Sequence, residues 1–253
     1  MDKSLSPLVV GYKGEIGSFI LQGLLKVFPK ATNIYCIDVN ETYKEQIDRV
    51  KKSNIIFLCV PIDQTVDWLI KFKRFLKNKV IIEQVSIKKI IFNDKRFEQI
   101  EHLNIKSMHI LFKPSMTANH ERSIALINPE KARYLSTKVN RYWDDYVDDF
   151  REMFNLINTN DIIFYHDYEQ HDRDMSIQQA LVHKTLLILN SMLQNTSSGT
   201  FVSRKIRELC NRMMVGDRNL YRIIQEEASS NDIEEYFVTL FKDFDIKKYL
   251  FLN

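Results

Sequence analysis

Short apolar runs alternate with stretches of helical periodicity over the first two thirds of the chain. Leu8-Val9-Val10, Ile34-Tyr35-Cys36-Ile37, the run from Ile55 to Val60 and the run from Val80 to Val85 are too short for helices. Their β-branched content predicts strands. After the first of them, Ile16, Phe19, Ile20, Leu24 and Val27 recur at i, i+3, i+4 spacing, the signature of one buried helix face. Helical signals also cover Glu41–Val50 and the stretch from Thr65 to Leu76. The run at 55–60 is apolar at every position, as in a strand covered on both faces of a parallel sheet. A basic, part-helical segment from Ile87 to Leu103 precedes further strands at Ser107–Ile110, Ile124–Ile127 and Ile162–Tyr165. Between the last two, Trp143, Tyr146, Phe150, Met153 and Phe154 mark another helix. Strands alternating with helices predict an α/β domain with a doubly wound sheet over residues 1–167, whose ligands sit at the carboxyl ends of the strands.

After Asp167 the alternation stops. Helical patterns cover Glu169–Leu193, then Val202–Val215 closed by Gly216, then Asp217–Glu227. A last helix is opened by Asn231, with Glu234 three residues on as a capping box. Residues 168–253 are therefore expected to form an all-α domain. So small a unit carries more apolar faces than it can bury alone, which predicts a homodimer formed through it.

The first strand runs straight into Gly11, Gly14 and Gly17, three of the six glycines in the chain. Strand, glycine turn and helix open a Rossmann-type dinucleotide-binding unit, in which a pyrophosphate approaches backbone N–H groups at a helix N-terminus. Gly11, Gly14, Glu15, Ile16 and Gly17 are the expected cofactor contacts, with Val60 and Pro61 at the end of the third strand. Asp38 ends the second strand, 21 residues after Gly17, where an acidic side chain meets ribose hydroxyls. No arginine adjoins it to receive a 2′-phosphate, so NAD is expected rather than NADP. The usual Gly-x-Gly-x-x-Gly spacing is displaced by Tyr12. A tight turn in a nucleotide-free α/β protein is the plainer reading of the glycines taken alone.

Composition adds limits. A net charge of +3 without a basic tract suits a small anionic ligand and gives no reason to expect nucleic acid. Cys36, Cys59 and Cys210 are odd in number and far apart, with neither disulfide nor metal-site spacing, which suits a reducing cytoplasm. No apolar run approaches the about 20 residues that span a bilayer, so no membrane partner is expected.

Four stretches resemble the prephenate dehydrogenase family, in the form that bacteria join to chorismate mutase. They are the glycine turn; Leu58-Cys59-Val60-Pro61 with Glu83-Gln84-Val85-Ser86-Ile87-Lys88; Met108-His109-Ile110-Leu111-Phe112-Lys113-Pro114; and the stretch His171-Asp172, Met175, Gln179-Ala180-Leu181, His183. Arg212, nine residues before Tyr221, is similar as well. The resemblance implies NAD-dependent oxidative decarboxylation of prephenate to 4-hydroxyphenylpyruvate. It implies His109 as hydrogen-bond acceptor or general base, and Ser86 as a partner of the same hydroxyl or of the nicotinamide end. Arg212 would clamp a substrate carboxylate, and Gln179, His183 and Lys113 would complete the substrate site.

Plainer roles exist for each: a structural histidine, a helix-capping serine, a solvated or interface arginine. His171, Met175, Gln179 and His183 recur every four residues and drift by about 40° per step along one α-helical face. His171 and Met175 are expected at a subunit interface, Gln179 and His183 in the cleft. Ile110, Lys113 and Tyr12 depart from the family pattern. They leave open arogenate or a 4-amino analogue as substrate, a catalytically silent nucleotide-binding protein, or an imine-directed reductase of similar fold.

Overall fold

The computed structural model describes residues 6–28, 33–115, 121–127, 143–194 and 199–214, together with a few helical residues beyond them. The chain divides into two compact units, Met1–His171 and Asp172–Asn253, so the division falls just after His171 rather than at Asp167. The fold is the expected Rossmann-type α/β arrangement with helices following the sheet.

In the first unit, seven strands among the described residues form one sheet. They are β1 (Pro7–Val10), β2 (Tyr35–Ile37), β3 (Ile55–Leu58), β4 (Val80–Glu83), β5 (Asn104–Ile110), β6 (Ile124–Ile127) and β7 (Ile162–Tyr165), in the order β2-β1-β3-β4-β5-β6-β7. The apolar runs are continuous because both faces are covered. Val9, Ile55, Phe57 and Ile82 pack with helix α1 (Glu15–Val27) on one face. Leu8, Val10, Ile56, Leu58 and Ile81 pack on the other with α2 (Tyr43–Lys52) and α3 (Thr65–Phe72). Alternate side chains of these strands thus enter different cores, which is why their central positions are apolar.

The helix predicted from Thr65 to Leu76 ends earlier, at Phe72, and continues as a single 3₁₀ turn over Lys73–Phe75. The segment Ile87–Leu103 holds one short helix, α4 (Lys89–Phe92), and a 3₁₀ turn. Trp143 precedes a 3₁₀ turn and helix α5 (Val147–Phe154), whose Phe150, Met153 and Phe154 are buried.

One pairing breaks the parallel pattern, so that β6 and β7 both run against the other five strands. β5 and β6 are antiparallel, with His109 opposite Ala125 and Ile110 opposite Ile124, while β6 and β7 are parallel again. The strands pair through close and wide hydrogen-bonded positions in turn, as antiparallel neighbours do. The ladder extends one step further through the Leu111 N–H to the Ser123 carbonyl, 3.0 Å.

The helix α6 (Tyr168–Met175) starts in the first unit, with the Asp167 carboxylate accepting the Gln170 N–H at 2.7 Å. A π-helical turn follows over Ser176–Leu181, then α7 (Val182–Gln194) and, after an interval, α8 (Phe201–Met214). The predicted helices at Asp217–Glu227 and from Asn231, and the cap at Gly216, fall on residues that are outside the described ones or only sparsely described. Among the described residues no helix is long and apolar enough to cross a membrane.

Below the carboxyl ends of β4 and β5 lies an ion pair with no solvent access. Lys88 Nζ stands 2.8 Å from Glu83 Oε1, and both side chains are fully buried. The same ammonium donates to the Met108 carbonyl at 2.9 Å, and the Glu83 carboxylate accepts the Val85 N–H at 2.7 Å and the Ser107 hydroxyl. Removing one buried partner leaves the other charge without compensation, which costs about 3–5 kcal/mol. Lys88→Met is accordingly expected to lower the unfolding free energy by about that amount in urea titrations. Combining it with Glu83→Leu should recover much of the loss.

Candidate active site

The glycine turn is locked by backbone contact. Gly11 has φ +78°, in the left-handed region, and a Cβ there would stand 2.3 Å from the Cys59 carbonyl oxygen. Gly17 is pinned by proximity, since a Cβ would fall 2.1 Å from the Gly11 carbonyl oxygen. The first turn of α1 is thereby pressed onto the end of β1, while the Gly11 N–H reaches the Ile37 carbonyl at 2.7 Å. The N-cap Gly14 contributes no side-chain cap. The first N–H groups of α1, at Glu15, Ile16 and Gly17, have no intrahelical partner and carry the positive end of the helix dipole. This is a cradle for a phosphate bridge, and it fits a dinucleotide.

Asp38 faces that cradle from the end of β2. Its Oδ2 accepts the Lys13 N–H at 2.9 Å and its Oδ1 the Val39 N–H at 2.9 Å. Glu41 lies beside it, its Oε2 accepting the Asp38 N–H at 2.6 Å. An arginine does approach this corner from α2: Arg49 Nη1 is held by the Cys36 carbonyl and by Glu41 Oε1 at 3.2 Å. Val60 and Pro61 follow β3 directly, and Pro61 opens the 3₁₀ turn that leads into α3.

Glu15 has a further role. Its Oε1 accepts the Ser115 N–H at 2.9 Å and the Ser115 hydroxyl, and its Oε2 is 4.0 Å from Lys113 Nζ. The loop after β5 is thus clipped to the start of α1. Lys113, expected among the substrate contacts, sits at the phosphate cradle in this structure.

At the sheet's centre, β4 and β5 are paired with Glu83 opposite Ser107. Ser86 comes three residues beyond Glu83, half-buried, and His109 two residues beyond Ser107, buried. Both therefore stand at the carboxyl edge, His109 near the end of β5 and Ser86 just past the end of β4. His109 Nδ1 is 3.1 Å from His171 Nε2, and the rings meet edge to face with centroids 5.3 Å apart. The Tyr165 ring meets His171 at 88° with centroids 5.2 Å apart. Burial pushes the His109 pKa well below the usual imidazole range, and His171 and the Lys88 ammonium add to it. Burial and Lys88 lower His171 to about 2. Both rings are neutral at physiological pH.

His171 is therefore not an interface residue: it is fully buried within its own chain, and Met175 is 1% exposed. Four-residue spacing suggested α-helical geometry, whereas Ser176–Leu181 is a π turn with i→i+5 bonding. In the wider turn a four-residue step falls short of a revolution instead of overshooting it, so the drift reverses there. Gln179 lies in this turn, its Oε1 buried without a hydrogen-bond partner among the described residues. His183 follows in α7, its pKa lowered by burial. Both belong to the second unit. Arg212 lies on α8, and its side chain falls outside the described residues, as does Tyr221 entirely.

Sequence reasoning missed the Glu83–Lys88–Ser107 network and the histidine pair. A signal for the first was available in a lysine set among Ile87, Ile90 and Ile91. None was available for the second, because residues 109 and 171 meet only in the fold.

Neither a family model nor a curated protein sequence matches the chain. Solved structures do. A protein of Corynebacterium glutamicum, provisionally described as a prephenate dehydrogenase, superposes with a TM-score of 0.68 at 15% identity, over 95% of this chain and 82% of that one. An imine reductase variant from Myxococcus stipitatus in complex with NAD+ gives 0.50 at 14% identity, over 88% and 78%. An NAD-binding semialdehyde dehydrogenase protein from Cupriavidus necator, in complex with calcium and NAD, gives 0.50 at 10% identity, over 97% and 94%. At these identities the likeness is one of fold: a Rossmann-type sheet followed by helices, as in the first of these proteins.

The histidine pair makes a prediction about stability. Unfolded, each imidazole takes a proton near pH 6.5, whereas in the fold both stay neutral. Below that pH the unfolded chain binds more protons, so stability falls as pH drops. The two groups together should remove about 4 kcal/mol between about pH 7 and pH 5, roughly half from each. Urea unfolding at the two pH values measures this, and His171→Phe should lose about half of the dependence.

Proposed function

We propose that the protein is a dehydrogenase that uses NAD to oxidise and decarboxylate prephenate, giving 4-hydroxyphenylpyruvate in tyrosine biosynthesis. The observation that carries the reading is a buried, neutral histidine at the carboxyl edge of the sheet that also bears the phosphate cradle and the acidic strand end. The resemblance of the motif around His109 and the shared fold support it. Arogenate offers the same ring hydroxyl and would undergo the same chemistry.

A nicotinamide dinucleotide, held by the turn at Gly11, Gly14 and Gly17 and by Asp38, would supply the hydride acceptor. The ring carbinol C–H bond breaks with its electron pair leaving as hydride. The hydroxyl proton passes to the free nitrogen of His109. The bond from ring to carboxylate then breaks, its pair completes the aromatic ring, and CO₂ departs. His109 must be neutral to accept, and its depressed pKa keeps it so. Ser86, just past the end of the neighbouring strand β4, would hydrogen-bond the same hydroxyl. Arg212 would hold a carboxylate through a bidentate pair, which Lys cannot match in geometry. Gln179 and His183 would line the substrate side. Lys113, beside Glu15, would face the cofactor phosphates.

NAD is preferred over NADP in this reading because Asp38 and Glu41 place two carboxylates at the ribose corner, and Arg49 is already committed to Glu41 and the Cys36 carbonyl. We also read the protein as a cytoplasmic homodimer formed through its helical segment. Ile177, Val182, Ile188 and Met192 there are exposed, apolar side chains that a partner subunit would cover.

Calorimetric titration should show tighter binding of NAD than of NADP; equal or reversed affinities would remove the assignment of Asp38.

With NAD and prephenate, reduced nicotinamide should accumulate. His109→Asn should lower kcat by roughly 10²–10⁴-fold with NAD affinity little changed. Arg212→Ala should act mainly on KM. The acid limb of activity should lie well below the usual imidazole range, since protonation of His109 is what abolishes it. An active parent whose His109→Asn variant keeps its kcat would point to another base. A parent that reduces no nicotinamide with prephenate or arogenate would leave a nucleotide-binding protein without this activity.

A further inference from the structure

The contact between His109 and His171 asks which ring holds the shared proton. Both rings are buried and neutral, and 3.1 Å separates His109 Nδ1 from His171 Nε2. A neutral imidazole has one N–H and one lone pair. If His171 donates, the proton of His109 is on Nε2 and His109 has no lone pair left for a hydroxyl proton. If His171 accepts, His109 carries its proton on Nδ1 and its Nε2 is a free base.

We infer that His171 is a positioning residue, whose Nε2 accepts the Nδ1–H of His109 and so fixes the base-competent tautomer and the ring's orientation. The inference rests on the reading of His109 as the base.

Three features of the fold support a fixed acceptor. His171 is in the first turn of α6, which Asp167 caps, and its own N–H reaches the Asp167 carbonyl at 3.4 Å. The Tyr165 ring stands edge to face against it and restricts its rotation. On the other side, the carbonyl just before His109 is held by Lys88 at 2.9 Å, which fixes the backbone from which His109 projects. The Lys88 ammonium also disfavours a proton on either ring. The pair therefore remains a neutral donor and a neutral acceptor until the hydroxyl proton arrives. At that point His109 gains charge while its Nδ1–H stays bonded to the His171 lone pair, and a hydrogen bond from a charged donor is the stronger kind. The arrangement parallels the orienting group of a nucleophile–base pair, with an uncharged imidazole in the place of a carboxylate.

Tautomers are read directly by two-bond nitrogen–proton correlation spectra of protein labelled with ¹⁵N-histidine, in the presence and absence of NAD. The assignment of His109 comes from His109→Asn. In the parent, His109 should be protonated at Nδ1. In His171→Phe, which keeps a ring and removes the acceptor, it should move toward the Nε2–H form that free histidine favours. In His171→Gln, whose Oε1 replaces Nε2 as acceptor, the Nδ1–H form should return. His109 protonated at Nε2 in the parent would overturn the inference, as would an Nδ1–H form that persists in His171→Phe. If His171→Phe does not fold, the parent spectrum and His171→Gln decide.

These spectra do not depend on turnover, so a protein that fails to oxidise prephenate still tests the hydrogen bond. If it does turn over, kcat should fall at least tenfold in His171→Phe and recover in part in His171→Gln, with KM and NAD affinity little changed. An unchanged kcat in His171→Phe would also overturn the inference.

Discussion

The carboxyl ends of β4 and β5 are tied together by the buried pair Glu83–Lys88, and much of the site depends on it. The lysine reaches Glu83 on one strand and the Met108 carbonyl on the other, and the carboxylate collects the Val85 N–H and the Ser107 hydroxyl. Full burial of two charges is tolerable only because their polar atoms are matched so closely. The result is a rigid base at the sheet edge: Ser86 follows Val85 and His109 follows Met108, so both project from backbone that the network holds.

The same network sets the electrostatics. An ammonium in a low-dielectric interior acts at longer range than one in water. Lys88 is one of the causes that lower the pKa of both His109 and His171, after burial itself. A structural ion pair beneath the site thus helps keep the imidazoles uncharged above it. At the other end of the edge the logic is steric. The backbones of Gly11, Gly17 and Cys59 touch, with no room for a side chain between them, and the bare helix end that results attracts negative charge.

Much of this was legible in the chain itself. The apolar run at 55–60 predicted a strand covered on both faces and the run at 80–85 a further strand, because a parallel sheet between two helical layers favours apolar side chains on both of its faces. The glycines at 11, 14 and 17 and the acid at 38 predicted a phosphate cradle with a ribose corner, because those demands are local in backbone geometry. His109 and Ser86 were placed on the carboxyl edge by counting strands.

Contacts between distant segments were not legible. The reversal of direction from β5 to β6 left no mark in the hydrophobic pattern of either strand. The π turn at Ser176–Leu181 changes which residues share a face without altering their spacing in sequence. Lys113 went to Glu15, 98 positions away, and His171 went to His109 rather than to a partner subunit. Periodicity records which face of an element is apolar, since burial of that face is what selects the pattern. It carries no record of which buried polar atom meets which, because one hydrogen bond at 3.1 Å between residues 62 positions apart requires only that the whole fold bring them together. The sequence by itself determined the layers, the edge and the cradle; the tertiary structure alone decided the partners of the polar groups set upon them.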